Sequence, residues 1–272
     1  MLCALLLTLT VSAASVSARS VGTGWTQVDG SLKQISVGPF GVWGVNSAGQ
    51  VWFRTGISLE NPQGTGWTQV EGVLRQISVG EFGVWGVDSA GQIWFRTGAS
   101  LENPQGTGWT QVDGELKWIA VGPFGVWGVN SADQIWFRSN VSYINPVGTG
   151  WTLIGGGLKQ ISVGAYGVWG VNSADQVWAR TGVSYLDPQG ADWVQISGGL
   201  KHVAVGAYGV WGVNFADQVW ARTGVSYLDP RGMDWVQISG GLKDIAVGDA
   251  GVWGVNSADQ VWFRNGIVDS AQ

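Results

Sequence analysis

Cysteine is almost missing from this chain: Cys3 is the only one in 272 residues, so no intrachain disulfide can form and no cysteine-based metal site can be assembled. Histidine is as scarce, with His202 alone, which removes the His–His and His–Cys spacings of zinc sites. Charged residues make up only 12% of the chain, with a formal charge of −5 and a pI near 4.7. No cluster of Lys and Arg interrupts that balance, so an electrostatic grip on nucleic acid or on an anionic membrane is excluded as the basis of function. No apolar run is long enough to span a bilayer, and membrane insertion is not expected. The many glycines lack the GK[ST] ending of a phosphate-binding loop.

The first residues stand apart from the rest. Leu2 to Val11 is a short apolar run, and SAASVSA follows it to Ala18. That order reads as a secretory signal peptide over residues 1–18, with cleavage after Ala18, and it predicts a secreted, extracellular protein. The competing reading, a buried first strand, falls outside the repeat described next. Cys3 lies inside the leader, so the mature protein would enter an oxidising compartment without a disulfide and hold itself together by burial.

What the chain has in abundance is glycine, 45 residues, and tryptophan, 19. Both are arranged periodically. GVWGV begins at Gly41 and recurs at Gly83, Gly125, Gly167, Gly209 and Gly251, a period of 42 residues. Trp43, Trp52 and Trp67 repeat with it at spacings of 9, 15 and 18, leaving Trp118 as the one tryptophan out of register. A period near 42 residues is that of a propeller blade. Each unit contains four β-branched or aromatic segments, LKQISVG, GVWGVN, QVWFR and GWTQV, bounded by Gly, Asn, Asp or Pro. NSAGQ and NSADQ are short enough for hairpins, and TGISLENPQGTG is a longer loop. Adjacent apolar residues in VWGV and VWFR call for burial on both faces, as in a sheet held between two others.

The termini then fix the architecture. GWTQV at Gly24–Val28 precedes the first inner strand, whereas the last unit stops after VWFR at Arg264. Pairing Trp25–Val28 with Gln260–Arg264 closes a ring. The expectation is an all-β, six-bladed β-propeller of four-stranded antiparallel blades over residues 19–272, closed by the N-terminal strand completing the last blade.

Catalysis needs convergent unlike groups, and the sequence offers few. His202 occupies a position held elsewhere by Gln76, Gln160 or Asp244 and reads as a partly exposed strand residue. Asp133, Asp175, Asp217 and Asp259 share one hairpin position, with Gly49 and Gly91 in the first two units. Identical acids in identical settings do not provide the separated pKa values of acid–base chemistry, so an enzyme is not expected.

All Lys and Arg residues except Arg19 and Arg231 fall at two repeat positions. One set, Lys33, Arg75, Lys117, Lys159, Lys201 and Lys243, starts the inner strands on the face that carries the hairpin aspartates; surface pairing or a weak anion funnel would account for it. The second set is Arg54, Arg96, Arg138, Arg180, Arg222 and Arg264. These lie near Trp67, Trp109, Trp151, Trp193, Trp235 and Trp25, respectively. A planar aromatic beside a forked donor suits an uncharged sugar, which offers one face for stacking and hydroxyls for directional bonds. The alternative is a core Trp capped by cation–π contact, with the Arg paired to a loop carboxylate such as Glu60 or Asp187. Asn46, Asp88, Asn130, Asn172, Asn214 and Asn256 form a second polar rim, which turn formation would explain equally well. Asn140-Val141-Ser142 is the only N-x-[ST] sequon and makes Asn140 a candidate for glycosylation.

The unit G-x-x-W-x-x-V-x-G-x-L-K-x-I-S-V-G-x-x-G-V-W-G-V-N-x-x-x-Q-V-W-x-R resembles the tectonin repeat of the fish egg lectins and their horseshoe-crab tachylectin relatives, and the resemblance covers Gly22 to Ile267. It implies a secreted six-bladed propeller, monomer or homodimer, that binds N-acetylglucosamine-type sugars and microbial glycans such as lipopolysaccharide and peptidoglycan in innate defence. It requires no cofactor but allows a calcium ion in the channel. Intracellular tectonin-repeat proteins supply the alternative, a scaffold for protein–protein interaction. Relatives carry disulfides that this chain lacks, and the repeat motif defines the blade rather than the sugar contacts. Repetition itself favours a lectin, because several weak sites on a rigid ring gain avidity on the order of 10² to 10⁴ against a repetitive target.

Overall fold

A computed structural model describes residues 21–267; the signal-peptide reading of residues 1–18 lies outside them. Six four-stranded antiparallel sheets follow one another around an axis. Blade 1 comprises β2 (Gln34–Gly38), β3 (Gly41–Val45), β4 (Gln50–Thr55) and β5 (Gly66–Val73), in that order from the axis outward. Blade 2 runs from β6 (Gln76–Gly80) to β9 (Gly108–Glu115), blade 3 from β10 (Trp118–Gly122) to β13 (Gly150–Gly157), and blade 4 from β14 (Gln160–Gly164) to β17 (Trp193–Gly199). Blade 5 runs from β18 (His202–Gly206) to β21 (Trp235–Gly241). Blade 6 takes β22 (Asp244–Gly248), β23 (Gly251–Val255) and β24 (Gln260–Asn265) from the end of the chain and β1 (Gly24–Ser31) from its beginning. Trp25 lies opposite Arg264 and Val28 opposite Val261, so the ring closes in the register expected from the spare GWTQV segment.

The outer strands are longer than the GWTQV motif because a bulge follows it: Val51 pairs with Val70 but Gln50 with Val73. Within each blade the GVWGV tryptophan is the core. Trp43, Trp85, Trp127, Trp169, Trp211 and Trp253 are all buried. In four blades the ring meets a phenylalanine edge to face, as in Trp43–Phe53 at 5.2 Å. Ala179 and Ala221 stand at that phenylalanine position in blades 4 and 5. The hairpin between the second and third strands of each blade needs a left-handed residue, which explains the alternation seen there: Gly49 and Gly91 have φ of 80° and 85°, and Asp133, Asp175, Asp217 and Asp259 have φ of 59° to 63°.

Neighbouring inner strands are joined by side chains. Gln34 donates from Nε2 to the Ile77 carbonyl at 3.1 Å and accepts from the Ile77 N–H at 3.0 Å, and Ser36 Oγ accepts from the Val79 N–H at 3.0 Å. Gln76 repeats the bridge to Ile119 and Gln160 to Val203. These paired bonds satisfy backbone groups that face the axis, where no further strand can reach them. In the other blades Trp118, His202 and Asp244 stand in place of the glutamine.

Candidate functional site

Each outer tryptophan joins its own blade to the preceding one. The Trp67 Nε1 donates to the Asp29 carbonyl at 2.7 Å, across the boundary between blades 1 and 6. Trp109, Trp151, Trp193, Trp235 and Trp25 make the equivalent bond to Glu71, Asp113, Gly155, Ser197 and Ser239. The ring lies so close to Gly30 that an added Cβ would be 2.6 Å from the indole nitrogen, and Gly30 has a φ of 109°, so only glycine fits there.

Behind each indole is the arginine paired with it. Arg54, Arg96, Arg138, Arg180, Arg222 and Arg264 hold their guanidinium carbons 5.2 to 5.3 Å from the ring centres of Trp67, Trp109, Trp151, Trp193, Trp235 and Trp25. The Nε of each donates to a loop carbonyl, Gln63 for Arg54 at 2.7 Å and Val21 for Arg264 at 2.9 Å. The structure therefore brings every predicted Trp–Arg pair together and commits it to joining blades. The loop carboxylates Glu60 and Asp187 are not the ion-pair partners. Asp29, Glu71 and Asp113, on the outer strand of the preceding blade, pair with Arg54, Arg96 and Arg138 at 2.5 to 2.7 Å. These bonds hold the carboxyls of Glu71 and Asp113 below the ordinary carboxylate range. The arginines of blades 4, 5 and 6 have Gly155, Ser197 and Ser239 of the preceding blades at the acid position. Burial lowers the pKa of Arg180, Arg222 and Arg264; Asp192 and Asp187 oppose this at Arg180, and Asp234 and Asp229 oppose it at Arg222.

The second polar rim is a set of hairpin braces. The Asn46 side-chain oxygen accepts from the Ala48 and Gln50 N–H groups at 3.1 and 2.9 Å, and its amide donates to Gln50 Oε1. Asn130, Asn172, Asn214 and Asn256 do the same. Asp88 accepts the two N–H bonds and, at 3.1 Å, the Nε1–H of Trp94. Asn140 is exposed with a φ of 58°, at a position where other loops have glycine, and its amide donates to Thr149 Oγ1 at 2.7 Å. An asparagine that tolerates the left-handed region accounts for that turn.

At the channel mouth, Lys117, Lys159, Lys201 and Lys243 pair with Asp133, Asp175, Asp217 and Asp259 of the same blades. Lys33 and Arg75 face Gly49 and Gly91 and have no such partner among the described residues. Deeper in the channel, His202 is the partly exposed strand residue expected, its side chain 12% exposed and its Nδ1 3.3 Å from Asp244 Oδ1. The imidazole meets the Trp118 ring edge to face at 5.3 Å, and Asp244 Oδ2 accepts from the Ile35 N–H at 2.9 Å. Trp118 Nε1 donates to the Ile161 carbonyl at 2.9 Å. Desolvation holds the imidazole pKa below 6.5 and raises that of the Asp244 carboxyl. The channel retains about 70 Å³. A calcium ion takes six to eight oxygen ligands. Among the described residues no three His, Cys, Asp or Glu side chains gather to hold a metal, and the channel glutamines and Asp244 already bond to backbone, so this donor set does not fit calcium.

The open surface lies between blades, along the outer strands. A groove of about 230 Å³ is lined by Trp52, Trp67 and Asn46 of blade 1 and by Gly30, Ser31 and Leu32 from the adjoining blade. Its counterpart of about 130 Å³ is lined by Trp136, Trp151 and Asn130 of blade 3, with Ile93, Gly114, Glu115 and Leu116 of blade 2. Both members of the Trp52/Trp67 pair are only partly buried. Two indole walls with a few polar atoms at the rim make a shallow apolar cleft of the kind that accepts a sugar ring. Trp52 and Trp136 escape a sequence reading because strand alternation assigns them to the blade core.

The opposite end carries the long loops. Leu59, Leu101, Tyr143, Ile144, Tyr185, Leu186, Tyr227 and Leu228 are exposed there, between 74% and 100%. Tyr143, Tyr185 and Tyr227 lie against Phe82, Phe124 and Tyr166 of the preceding blades, with ring centres 5.2 to 5.3 Å apart.

The model of the family described as the Tectonin domain matches residues 7–117, 84–199 and 187–272. No curated protein matches the chain. Among solved structures, a chain in the mitotic checkpoint complex is similar at 7% identity, with 98% of this chain and 100% of that chain covered and a TM-score of 0.54. The β-propeller domain of Cps50 (Swd1) from Myceliophteria thermophila is similar at 8% identity, with 87% and 84% covered and a TM-score of 0.52. YCF48 bound to a D1 peptide is similar at 13% identity, with 89% and 79% covered and a TM-score of 0.51. At such identities the likeness extends to the fold alone.

Proposed function

The chain belongs to the Tectonin domain family, and from that premise we propose that it is a secreted, multivalent lectin that takes N-acetylglucosamine-type sugars and microbial surface glycans, lipopolysaccharide and peptidoglycan among them, in innate defence. A propeller of this family is a binding scaffold rather than an enzyme, and the carboxylates at the channel mouth are tied up by lysines. One observation carries the sugar reading: the groove lined by Trp52, Trp67 and Asn46 and its counterpart lined by Trp136, Trp151 and Asn130. Indole faces suit the apolar face and acetamido methyl of an amino sugar, and the rim amides suit its hydroxyls. Each groove is shallow, so a single sugar binds weakly; several on one rigid ring bind a repetitive surface tightly.

Titrating N-acetylglucosamine while following tryptophan emission tests the reading. Quenching that saturates, is reduced in Trp52→Ala and Trp136→Ala, and persists after EDTA is the expected result. No response to any amino sugar on a glycan array, with or without calcium, refutes it. Secretion is tested by sequencing the mature N-terminus, expected at Arg19. Glycosylation at Asn140, part of the same proposal, is tested by a mass shift on deglycosylation.

A second reading, a scaffold for protein partners, is favoured by the exposed loop residues Leu186 and Leu228 and the tyrosines beside them. Large apolar side chains gathered on one face are a feature of protein-binding surfaces. Under that reading Leu186→Asp and Leu228→Asp abolish partner capture while sugar quenching is unchanged.

A further inference from the structure

The hairpin aspartates at the channel mouth each stand between blades. Bonds from Lys117 of its own blade and from Ser173 Oγ of the next hold the Asp133 carboxyl below its ordinary range, and the charge of Lys159, also in the next blade, adds to the effect. Lys243, Ser47 and Lys33 act on Asp259 in the same order, with the Ser47 hydroxyl 2.5 Å away. Asp175 and Asp217 keep the bond to the lysine of their own blades. All four carboxylates are 22% to 33% exposed, so the notch that each one fills opens to solvent.

At blade 1 the same frame surrounds a glycine. Gly49 takes the place of the aspartate, with Lys33 of its own blade and Ser89 and Arg75 of blade 2 in the positions that Lys117, Ser173 and Lys159 hold around Asp133. Lys33 is only partly buried, Ser89 is exposed, and neither side chain makes a hydrogen bond or ion pair among the described residues. The Arg75 guanidinium leans toward blade 3, where Nη2 donates to the Lys117 carbonyl at 2.6 Å; it contributes charge at longer range, as Lys159 does at Asp133. Desolvation lowers the Lys33 pKa, the like charges of Arg75 and Lys243 lower it further, and only Asp259 opposes them. Asp259 is itself bonded to Lys243 and Ser47, and Asp88, next to Ser89, is engaged by the Ala90 and Gln92 N–H groups and the Trp94 indole. The other glycine notch, at Gly91, has an acid beside it, since an added Cβ would come 3.9 Å from that of Glu115. Beside Gly49 that neighbour is Val73, 67% exposed.

Blades 3 to 6 thus set one aspartate against each lysine, whereas Lys33 and Arg75 share a notch with none. Two cations and a hydroxyl around one opening call for an anion with more than a single charge and several acceptor oxygens. A phosphate monoester carries a charge of about −1.5 to −2 near neutral pH and three acceptor oxygens. We propose that the Gly49 notch binds a phosphate monoester, Lys33 and Ser89 bonding its oxygens as Lys117 and Ser173 bond Asp133, and Arg75 supplying the second positive charge. Only the expectation that a sugar carries the phosphate rests on the lectin reading. The residues of the notch are not those that line the tryptophan grooves.

The test follows the Gly49 and Ser89 amide signals and the lysine side-chain signals of the full propeller by NMR, near neutral pH, while glucose 6-phosphate, inorganic phosphate, sodium acetate or glucose is added at equal ionic strength. The expected result is a saturable shift of Lys33, Gly49 and Ser89 with both phosphates and none with glucose, while Lys117, Lys159, Lys201 and Lys243 stay in place. Tighter binding of the ester than of inorganic phosphate identifies a phosphorylated sugar as the source; equal binding supports the site and assigns it to free phosphate. Lys33→Gln and Ser89→Ala should each weaken binding by about tenfold, the worth of one hydrogen bond to a charged group. Gly49→Asp fills the notch from within and should abolish the response. Lys33→Gln is a partly exposed substitution, so its melting temperature should stay that of the unaltered protein and its loss of binding cannot be loss of fold. An equal response to acetate, equal movement of all the inner-ring lysines, no shift at Lys33 with either phosphate, or an undiminished response in Lys33→Gln overturns the proposal. N-acetylglucosamine quenching reports separately on the lectin reading: quenching without the phosphate shifts sinks this inference alone, and phosphate shifts without quenching sink that reading alone.

Discussion

The Trp25 indole nitrogen donates to the Ser239 carbonyl, 214 residues further along the chain, at 2.8 Å. Trp25 also stands opposite Arg264 in the strand pair that closes the ring, with the guanidinium 5.3 Å from its ring centre. One side chain near the start of the chain thus holds the last blade on itself and on the blade before it. Trp67 has the same contacts within a continuous stretch of chain.

Trp25→Ala and Trp67→Ala are expected to lower equilibrium stability by similar amounts, about 2–4 kcal/mol for a large, partly buried aromatic. They should differ in kinetics. Losing Trp25 frees a strand anchored only at one end, so the unfolding rate should rise more than in Trp67→Ala. Stopped-flow unfolding in denaturant, alongside equilibrium curves, separates the two effects.

Gly38 is one of the glycines at which neighbouring blades approach closely at the axis: a Cβ there would lie 2.5 Å from the Val79 carbonyl oxygen and 2.9 Å from its carbon, both backbone atoms that cannot swing away. Gly38→Ala should therefore cost about 1–3 kcal/mol, as overpacking does. Gly24→Ala is the control, since nothing lies within 4 Å of its added Cβ, and its change should stay within about 0.5 kcal/mol. Melting temperatures of the two variants give the comparison.

The ring was legible in the sequence because a propeller repeats one local solution: the 42-residue period fixed the blade, and the surplus GWTQV fixed the closing register. Contacts made between blades were not legible. Nothing in the spacing of Arg54 indicates that its carboxylate comes from Asp29, 25 residues earlier, rather than from Glu60 in its own loop. The contacts of His202 were not legible for the same reason. Its setting depends on Asp244 and Trp118, each 42 or more positions away, which meet it only because three blades depart from glutamine together. The Trp52 groove was not legible either, because its walls come from two blades.

His202 gives the propeller a pH-dependent stability with a definite sign. Its folded pKa is lowered from 6.5 chiefly by desolvation, with Lys201 and Lys159 adding to the effect and Asp244 opposing it. The unfolded chain therefore takes up a proton that the folded one refuses, and stability should fall as pH drops through 6.5 toward the lower folded value. Asp244, raised by desolvation, has the opposite slope, contributing stability as pH falls through its folded value toward 3.8. His202→Gln, which restores the residue of blades 1, 2 and 4, should remove the loss just below pH 6.5. Denaturant midpoints measured from pH 8 to pH 5 would show a flat curve for the variant where the unaltered protein slopes; equal slopes would contradict the account.

Lys33 is the one inner-ring lysine without a hairpin carboxylate. Gly49 takes the place of the aspartate, and the lysine's pKa is lowered first by desolvation and then by Arg75 and Lys243. Gly49→Asp should rebuild the pair that Lys117 makes with Asp133. The backbone is already suited to it, since Gly49 has a φ of 80° and Asp133 adopts 62° in the equivalent turn. An added Cβ would come 2.8 Å from Val73 Cγ1, a methyl of a side chain 67% exposed and free to turn aside. The gain should be about 0–1 kcal/mol at low ionic strength and should shrink as salt screens the pair. Melting in dilute buffer and again in about 1 M salt, where the Debye length is about 3 Å, isolates the electrostatic part. A variant whose advantage survives high salt would owe it to the turn, and one that loses stability at both would show that Val73 cannot move.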